Sequence, residues 1–483
     1  MKSISTLGLL MAGTLLAGSA HATTMFVPGD LVVSVEGKGL TSGTYTDNQA
    51  APLSLFQYTT SGSFVSSLVL PQSANGANFA VSGEYGSSSE GALQLSSNGK
   101  LLTIMGYGVN AAAFNANPTA YGTTTNDPTK PTALGQSGSL QGQGYIAVPR
   151  VVATIGANGS VSSTTGVYGV FNGNNPRSVA TVDGSSFYIS GQGNSPDNTG
   201  GVFYVTRGSH SATAITGLDT TSNTSSQDTR FVTIYNNQLY VSVDSKEGKN
   251  AARSFVGTLG ASGALPTSLA NGGNGPTMLT GFGNSGGTGK ESMTAATGNG
   301  LNTGDQINLS PEAYFFANAT TLYVADSGAP KNDSANSALG DGGLQKWIDV
   351  KGTWTLEYTI SAGLNLVANS TANPADVTGT TGLLGLTGKV LSDGEVELFA
   401  TNFTIGDTDP TYLFGVDDQL GATKLQAGEA LQILASAPAD SNFKGVSFAP
   451  VPEPETWALM LVGVGLIGAA GRAERRRMGA ATA

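Results

Sequence analysis

RFVTIYNNQLYVSVDS, residues 230–245, reads as two short strands folded into a hairpin. Both arms are rich in Val, Ile, Phe and Tyr, which suit a pleated, half-buried surface. The pattern recurs. LLTIMGYG, SFYISGQG, QLYVSVDS, TLYVADSG and VELFATN each fall on the second arm of a hairpin, beginning near residues 101, 186, 238, 321 and 396. Their spacing averages about 74 residues, with one interval close to 52. If each unit is a four-stranded blade with variable loops, the chain is all-β: a β-propeller of about seven four-stranded blades.

Turn chemistry supports the hairpins. Asn98-Gly99, between ALQL and LLTIM, is a type I′ signal. Asn158-Gly159, Asp183-Gly184, Gly352 and Asp393-Gly394 mark further turns. Upstream, LVVSV at 31–35 is a strand, and LSLFQY at 53–58 pairs with FVSSLVLP at 64–71 around Thr59–Ser63. Residues 110–142 read as loop, and no amphipathic helix of ordinary length precedes the C-terminal tail. An open sheet edge invites pairing with other chains, so the ring needs closing. Strand 31–35 is placed to complete the blade made by 411–450, bringing residue 31 close to residue 448. Tyr188, Tyr240, Tyr323 and Phe399 are expected to pack between blades. Asp244 and Asp326 are expected to accept backbone N–H groups at turns.

Composition narrows the function. The formal net charge is -11, with 22 Lys and Arg against 33 Asp and Glu. A polyanion binder needs a basic footprint, so nucleic acid is not an expected partner. There is no cysteine, which removes thiol catalysis and Cys-ligated metal sites. Of the two histidines, His21 lies in the leader described below, which leaves His210 in a Ser/Thr-rich loop, expected at the surface.

The C-terminus carries a different signal. Residues 452–477 read PEPETWALMLVGVGLIGAAGRAERRR. Pro452-Glu453-Pro454 precedes an apolar run over 457–470, and Arg472, Arg475, Arg476 and Arg477 close it. The run is short for a bilayer crossing, which takes about 20 apolar residues. Arginine stems that snorkel extend its reach, and the positive-inside rule places them in the cytoplasm. At the other end, Lys2, the apolar run from Leu7 to Ala17 and Ala20-His21-Ala22 read as a secretory signal peptide cleaved after Ala22.

This tail resembles the PEP-CTERM sorting signal of Gram-negative bacteria. Pro452, Glu453 and Pro454, the apolar helix and Arg472, Arg475, Arg476 and Arg477 match its three parts in order. The resemblance implies processing near the triplet by a membrane-embedded exosortase, transient membrane association through the C-terminal helix, and a cell-surface or extracellular product, often alongside exopolysaccharide. The body is similar to the propeller-type ectodomains often joined to such tails. The expected organisation is a signal peptide over 1–22, a propeller-like ectodomain over 23–450, and a sorting signal over 451–483 with a short transmembrane helix.

Catalytic motifs do not emerge from the residues. Gly283-Asn284-Ser285-Gly286-Gly287 has nucleophile-elbow spacing but lacks the flanking strand and helix. The Gly-rich 281–289 lacks the Lys-Ser/Thr of a phosphate loop. Asp407, Asp409, Asp417 and Asp418 read as a solvated acidic loop; were they to share a rim, Ca²⁺ is the ion they would take. Glu312, Asp326 and Glu357 are carboxylates without a defined pairing. No catalytic, cofactor or metal residues are assigned. The expected role is a noncatalytic surface protein associated with polysaccharide or matrix. The alternatives are a propeller hydrolase or lyase acting on an extracellular sugar or lactone, and a self-assembling surface-layer component.

Overall fold

The computed structural model describes residues 26–452 except 124–131, 195–196, 217–227, 245–253, 274, 283–291, 295–305, 329–341 and 368–377. Four separate four-stranded antiparallel sheets stand as blades. Blade I comprises Pro176–Ala180, Ser186–Gly191, Gly201–Thr206 and Thr213–Ala214. Blade II comprises Thr229–Tyr235, Gln238–Val243, Phe255–Leu259 and Thr277–Met278. Blade III comprises Pro311–Asn318, Thr321–Asp326, Gly343–Val350 and Thr353–Ile360. Blade IV comprises Thr380–Val390, Glu395–Thr404, Tyr412–Gln419 and Gln432–Ser436.

The expectation of seven blades is corrected. The rest of the ring is one nine-stranded sheet. It holds a closure run, Ser441–Phe448, Leu31–Gly37, Ala50–Tyr58 and Phe64–Val69. It also holds a second run, Gln94–Leu95, Leu101–Tyr107, Arg150–Gly156 and Val161–Val167. Ser82–Glu84 pairs with both and fuses them. Repeat spacing overcounted because the connections vary: one joins Tyr107 to Arg150, another Tyr235 to Gln238. Spacing measures connections as much as blades. A separate two-stranded hairpin joins Ser292–Thr294 to Gln306–Asn308.

The five quoted hairpin arms are second strands, counted outward from the axis. Two turns have the paired positive φ of a type I′ hairpin: Asn236 and Asn237, and Lys351 with Gly352. At Asn98-Gly99 only Gly99 has positive φ, so that hairpin closes through a different turn from the type I′ expected.

Closure occurs through the N-terminal strand. Leu31 stands opposite Phe448 and Gly37 opposite Ser441. The expected partner was only partly right, since Tyr412–Gln419 and Gln432–Ser436 belong to blade IV. Only the strand just before the sorting tail closes the ring. All seven residues of Leu31–Gly37 are buried, because neighbouring blades cover both faces. Leu31, Val33 and Val35 pack with Phe399 and Leu413 of blade IV. Burial of each such side chain stabilises the fold by about 1.5–3 kcal/mol.

A polar device joins the units. The second strands carry a hydroxyl aimed at the inner edge of the next unit. Ser34 donates to the Gly91 carbonyl (2.5 Å), Thr103 to Val179 (2.9 Å), Ser190 to Arg230 (2.6 Å) and Ser242 to Glu312 (2.6 Å). Thr401 donates likewise to the Lys444 carbonyl. Blade III has Ala325 at the place of Ser242. There Thr381 donates to the Ser327 carbonyl instead, at 2.8 Å. The inner strands come so close that a Cβ on Gly445 would collide with the Leu93 N–H and the Gly91 carbonyl.

Each hydroxyl satisfies a buried carbonyl, and removing a buried partner costs about 1–3 kcal/mol. Ser190→Ala and Ser242→Ala are therefore expected to lower the unfolding free energy by about 1–3 kcal/mol each. The exposed Ser73→Ala should change it by less than about 0.5 kcal/mol. Equilibrium denaturant unfolding measures all three, and equal effects would contradict the link.

Candidate functional site

Six inner strands or their lead-ins converge on the axis, and several carry a charge near their start. Arg177 opens blade I, Arg230 blade II and Glu312 blade III. Lys444 comes from the closing strand and Glu90 from the lead-in to Gln94–Leu95. These five side chains line one small axial cavity, with apolar walls from Phe231, Leu386 and Val446. About 20 Å³ of it can hold the centre of a water molecule, room for about one water. The axis is narrow enough that Gln94 of the second run reaches the Val232 carbonyl of blade II at 2.7 Å.

The charges neutralise one another. Arg177 pairs with Asp228. The Arg230 guanidinium lies 3.7 Å from Asp228, 3.6 Å from Asp244 and 3.7 Å from Glu312. Burial, and then the neighbouring Arg230, hold the Arg177 guanidinium well below the usual arginine range. A buried cation left alone costs several kcal/mol, so a ring of opposite charges is the stable filling for this axis.

A second cluster adjoins it. Lys444 Nζ donates to the Ser87 carbonyl and lies 4.0 Å from Glu36 Oε2. Glu90 Oε1 accepts from Asn175 Nδ2 at 2.7 Å and from the Tyr107 hydroxyl. Glu84 Oε2 accepts the Gly135 N–H at 2.5 Å. Burial raises Glu36 well above the carboxylate range, although Lys444 opposes it. Burial and then Glu90 raise Glu84. Burial pushes Glu90 up to about 7 against its hydrogen bonds. Arg150, fully buried, stacks 4.7 Å above the Tyr107 ring and donates to the carbonyls of Ser137, Val148, Phe171 and Asn174. It staples the loops over this end of the propeller.

Apart from Glu312, the residues named from sequence fall elsewhere. Tyr323 is buried and its hydroxyl reaches Asp418 Oδ2 at 2.5 Å. Asp418 also accepts from Tyr358 (2.6 Å) and pairs with the buried Lys346 at 2.9 Å. Asp409 is buried and accepts the Gly379 and Gly406 N–H groups, whereas Asp417 is exposed. The four aspartates therefore share no rim. Among the described residues no group of three or more His, Asp or Glu side chains is placed to hold a metal. Tyr188 packs on Tyr204 of its own blade and with Val232, Leu239 and Val241 of blade II, Tyr240 on Phe316 of blade III, and Phe399 on Phe448 of the closing strand. Asp326 accepts the Ser310 and Gly328 N–H groups as expected. Asp244 accepts the Ser254 and Ser310 hydroxyls. His210 is exposed, with Nδ1 2.9 Å from the Gly166 carbonyl. Glu312 reaches the axis, while Glu357 sits half-buried on the outer strand of blade III.

The serine of 283–287, the signal peptide expected over 1–22, and Glu453, Pro454, Arg472, Arg475, Arg476 and Arg477 lie outside the described residues; Pro452 is the last described residue. Among the described residues no helix is long and apolar enough to cross a membrane. Of the axial residues sequence reading named only Glu312, without a pairing, and missed Glu90, Arg177, Arg230 and Lys444. Their only signal was a lone charge within an apolar strand, as in LVVSVEG and SNFKGVSF.

Proton linkage gives a direct check. The folded state keeps the Glu90 proton to about pH 7, while an exposed carboxyl releases it near 4.5. Between these values the folded state binds more protons, so stability falls as pH rises. Glu36 and Glu84 act in the same direction. The lowered Lys444 acts with the opposite sign, on the alkaline side. Thermal midpoints are expected to fall from pH 5 to pH 8, and Glu90→Gln should reduce that fall by at least about a third. An unchanged slope would contradict the assignment.

Comparison with known proteins gives one match to a family description, the PEP-CTERM protein-sorting motif, over residues 450–477. No curated protein matches. Among solved structures, apo AztD from Citrobacter koseri is 9% identical, covering 87% of this chain and 100% of that one, with a TM-score of 0.27. An oligogalacturonate lyase in complex with manganese is 7% identical, covering 81% and 92%, with a TM-score of 0.32. Trypanosoma rangeli sialidase is 12% identical, covering 78% and 51%, with a TM-score of 0.33. The chain thus joins a propeller-like arrangement of blades to a PEP-CTERM motif, the mark of exported proteins that are processed at the C-terminus by an exosortase and anchored at or released from the cell surface.

Proposed function

We propose that this chain is an exported, noncatalytic surface propeller that binds polysaccharide or matrix through its loops. In this reading the leader over 1–22 directs export and the body over 23–450 is the working part. The segment 451–483 holds it at the membrane until an exosortase cuts near Pro452-Glu453-Pro454, with Arg472, Arg475, Arg476 and Arg477 retaining the tail on the cytoplasmic side. The match over residues 450–477 carries the export and processing. The axial cavity supports the noncatalytic part. Its charges are already paired, and its room for about one water leaves no place for a sugar ring.

Replacing Glu453 by Gln, and separately all four arginines by Ala, in a host with an exosortase should trap the uncut chain in the membrane fraction. Release of either variant at the normal mass and rate would refute the processing. The released wild-type form should show no turnover on a panel of glycans and lactones with and without divalent metal; sustained turnover would refute the noncatalytic role.

A further inference from the structure

The strand that closes the ring also fixes where the sorting tail leaves it. The Ala449 N–H donates to the Asp30 carbonyl at 2.8 Å, and the Val451 N–H to the Gly99 carbonyl at 2.8 Å. The tail therefore emerges beside the 96–100 turn. That turn in turn donates from Asn98 N–H to the Val182 carbonyl at 3.0 Å, in the first hairpin turn of blade I. Three exposed valines stand around this exit: Val27 (49%), Val182 (41%) and Val451 (49%). Val350, 55% exposed, lies on the same side, because the Asp349 N–H bonds the Thr320 carbonyl in the first turn of blade III.

The two sides of the ring are unlike. First and second strands of the blades join on the exit side through short turns at 181–185, 236–237, 319–320 and 391–394. Second and third strands join on the opposite side, where 38–49, 405–411 and the described parts of the longer connection, 108–123 and 132–149, lie. Leu40 and Ile146, 62% and 59% exposed, belong to that side.

We infer that the exit side is the membrane-facing side of the propeller, and that Val27, Val182, Val350 and Val451 rest on the lipid surface while the tail is uncut. The length of chain beyond the fold carries this. Six steps separate Val451 from Trp457, where the apolar run begins. Fully extended they reach only about 20 Å. A body tethered so closely, through a point on one of its broad sides, presents that side to the bilayer. Exposed valines there gain by entering the interfacial layer, where apolar area leaves water. The opposite side, with its longer connections, then faces outward for other partners.

The inference rests on the proposed membrane-held stage, and the test separates the two. The chain has no cysteine, so single cysteines report single positions. Full-length Val182→Cys, Val350→Cys, Leu40→Cys and Ile146→Cys chains, each labelled with a small fluorophore, are reconstituted into phosphatidylcholine–phosphatidylglycerol vesicles holding a headgroup-quencher lipid. Labels at 182 and 350 should be quenched at least about threefold more than those at 40 and 146. Co-floating chains with equal quenching at all four, or more at 40 and 146, overturn the orientation alone. Protection at 182 and 350 that follows protein density rather than quencher content assigns that side to a second copy and also overturns it. Failure of the full chain to float with vesicles overturns the membrane-held stage and this inference together.

Discussion

Hydroxyl-to-carbonyl bonds between neighbouring units hold the inner strands of this propeller in register. Ser34, Thr103, Ser190, Ser242 and Thr401 each project from a second strand to a carbonyl at the inner edge of the next unit. Apolar packing between blades brings sheets together but is non-directional. A buried hydroxyl that must meet a carbonyl is directional. It fixes the backbone of Arg230, Glu312 and Lys444, whose side chains then meet at the axis. Where the hydroxyl is replaced by Ala325, Thr381 takes over, and the Lys346–Asp418–Tyr323 group ties blade III to blade IV.

That geometry determines what the axis can do. Charges drawn into a space of low dielectric interact strongly and are costly when unpaired. Arg177, Arg230 and Lys444 are met by Asp228, Asp244, Glu312 and Glu36. Glu36, Glu84 and Glu90 respond to burial by holding protons more tightly. The centre is thus a joint between units.

Much of the architecture was legible in the sequence because hairpins are local. RFVTIYNNQLYVSVDS folds as read, with Asn236 and Asn237 at the turn. Leu31 meets Phe448 as the need to close an open edge required. Blade number was not legible, because 108–149 and 236–237 are both single connections of very different length. The axial cluster was hidden for a similar reason. Glu36, Glu90 and Lys444 lie far apart in the chain and carry no shared motif, so only ring closure brings them together. The hydroxyl links left a faint trace. Ser190 and Ser242 each stand four residues after the start of a repeated arm, but Ala325 breaks the pattern. The C-terminal motif was the reverse case, since its three parts are contiguous and need no fold to be recognised.

Closing strand and sorting tail are consecutive, so processing must spare one while removing the other. Intact-mass and terminal-peptide analysis of the surface or released protein from the native host tests this most directly. The account predicts a single mature chain beginning at Thr23 and ending between Val451 and Thr456, with Ser441–Phe448 retained and 457–483 gone. A mature chain that still carries 457–483, or one cut before Ser441, would contradict it.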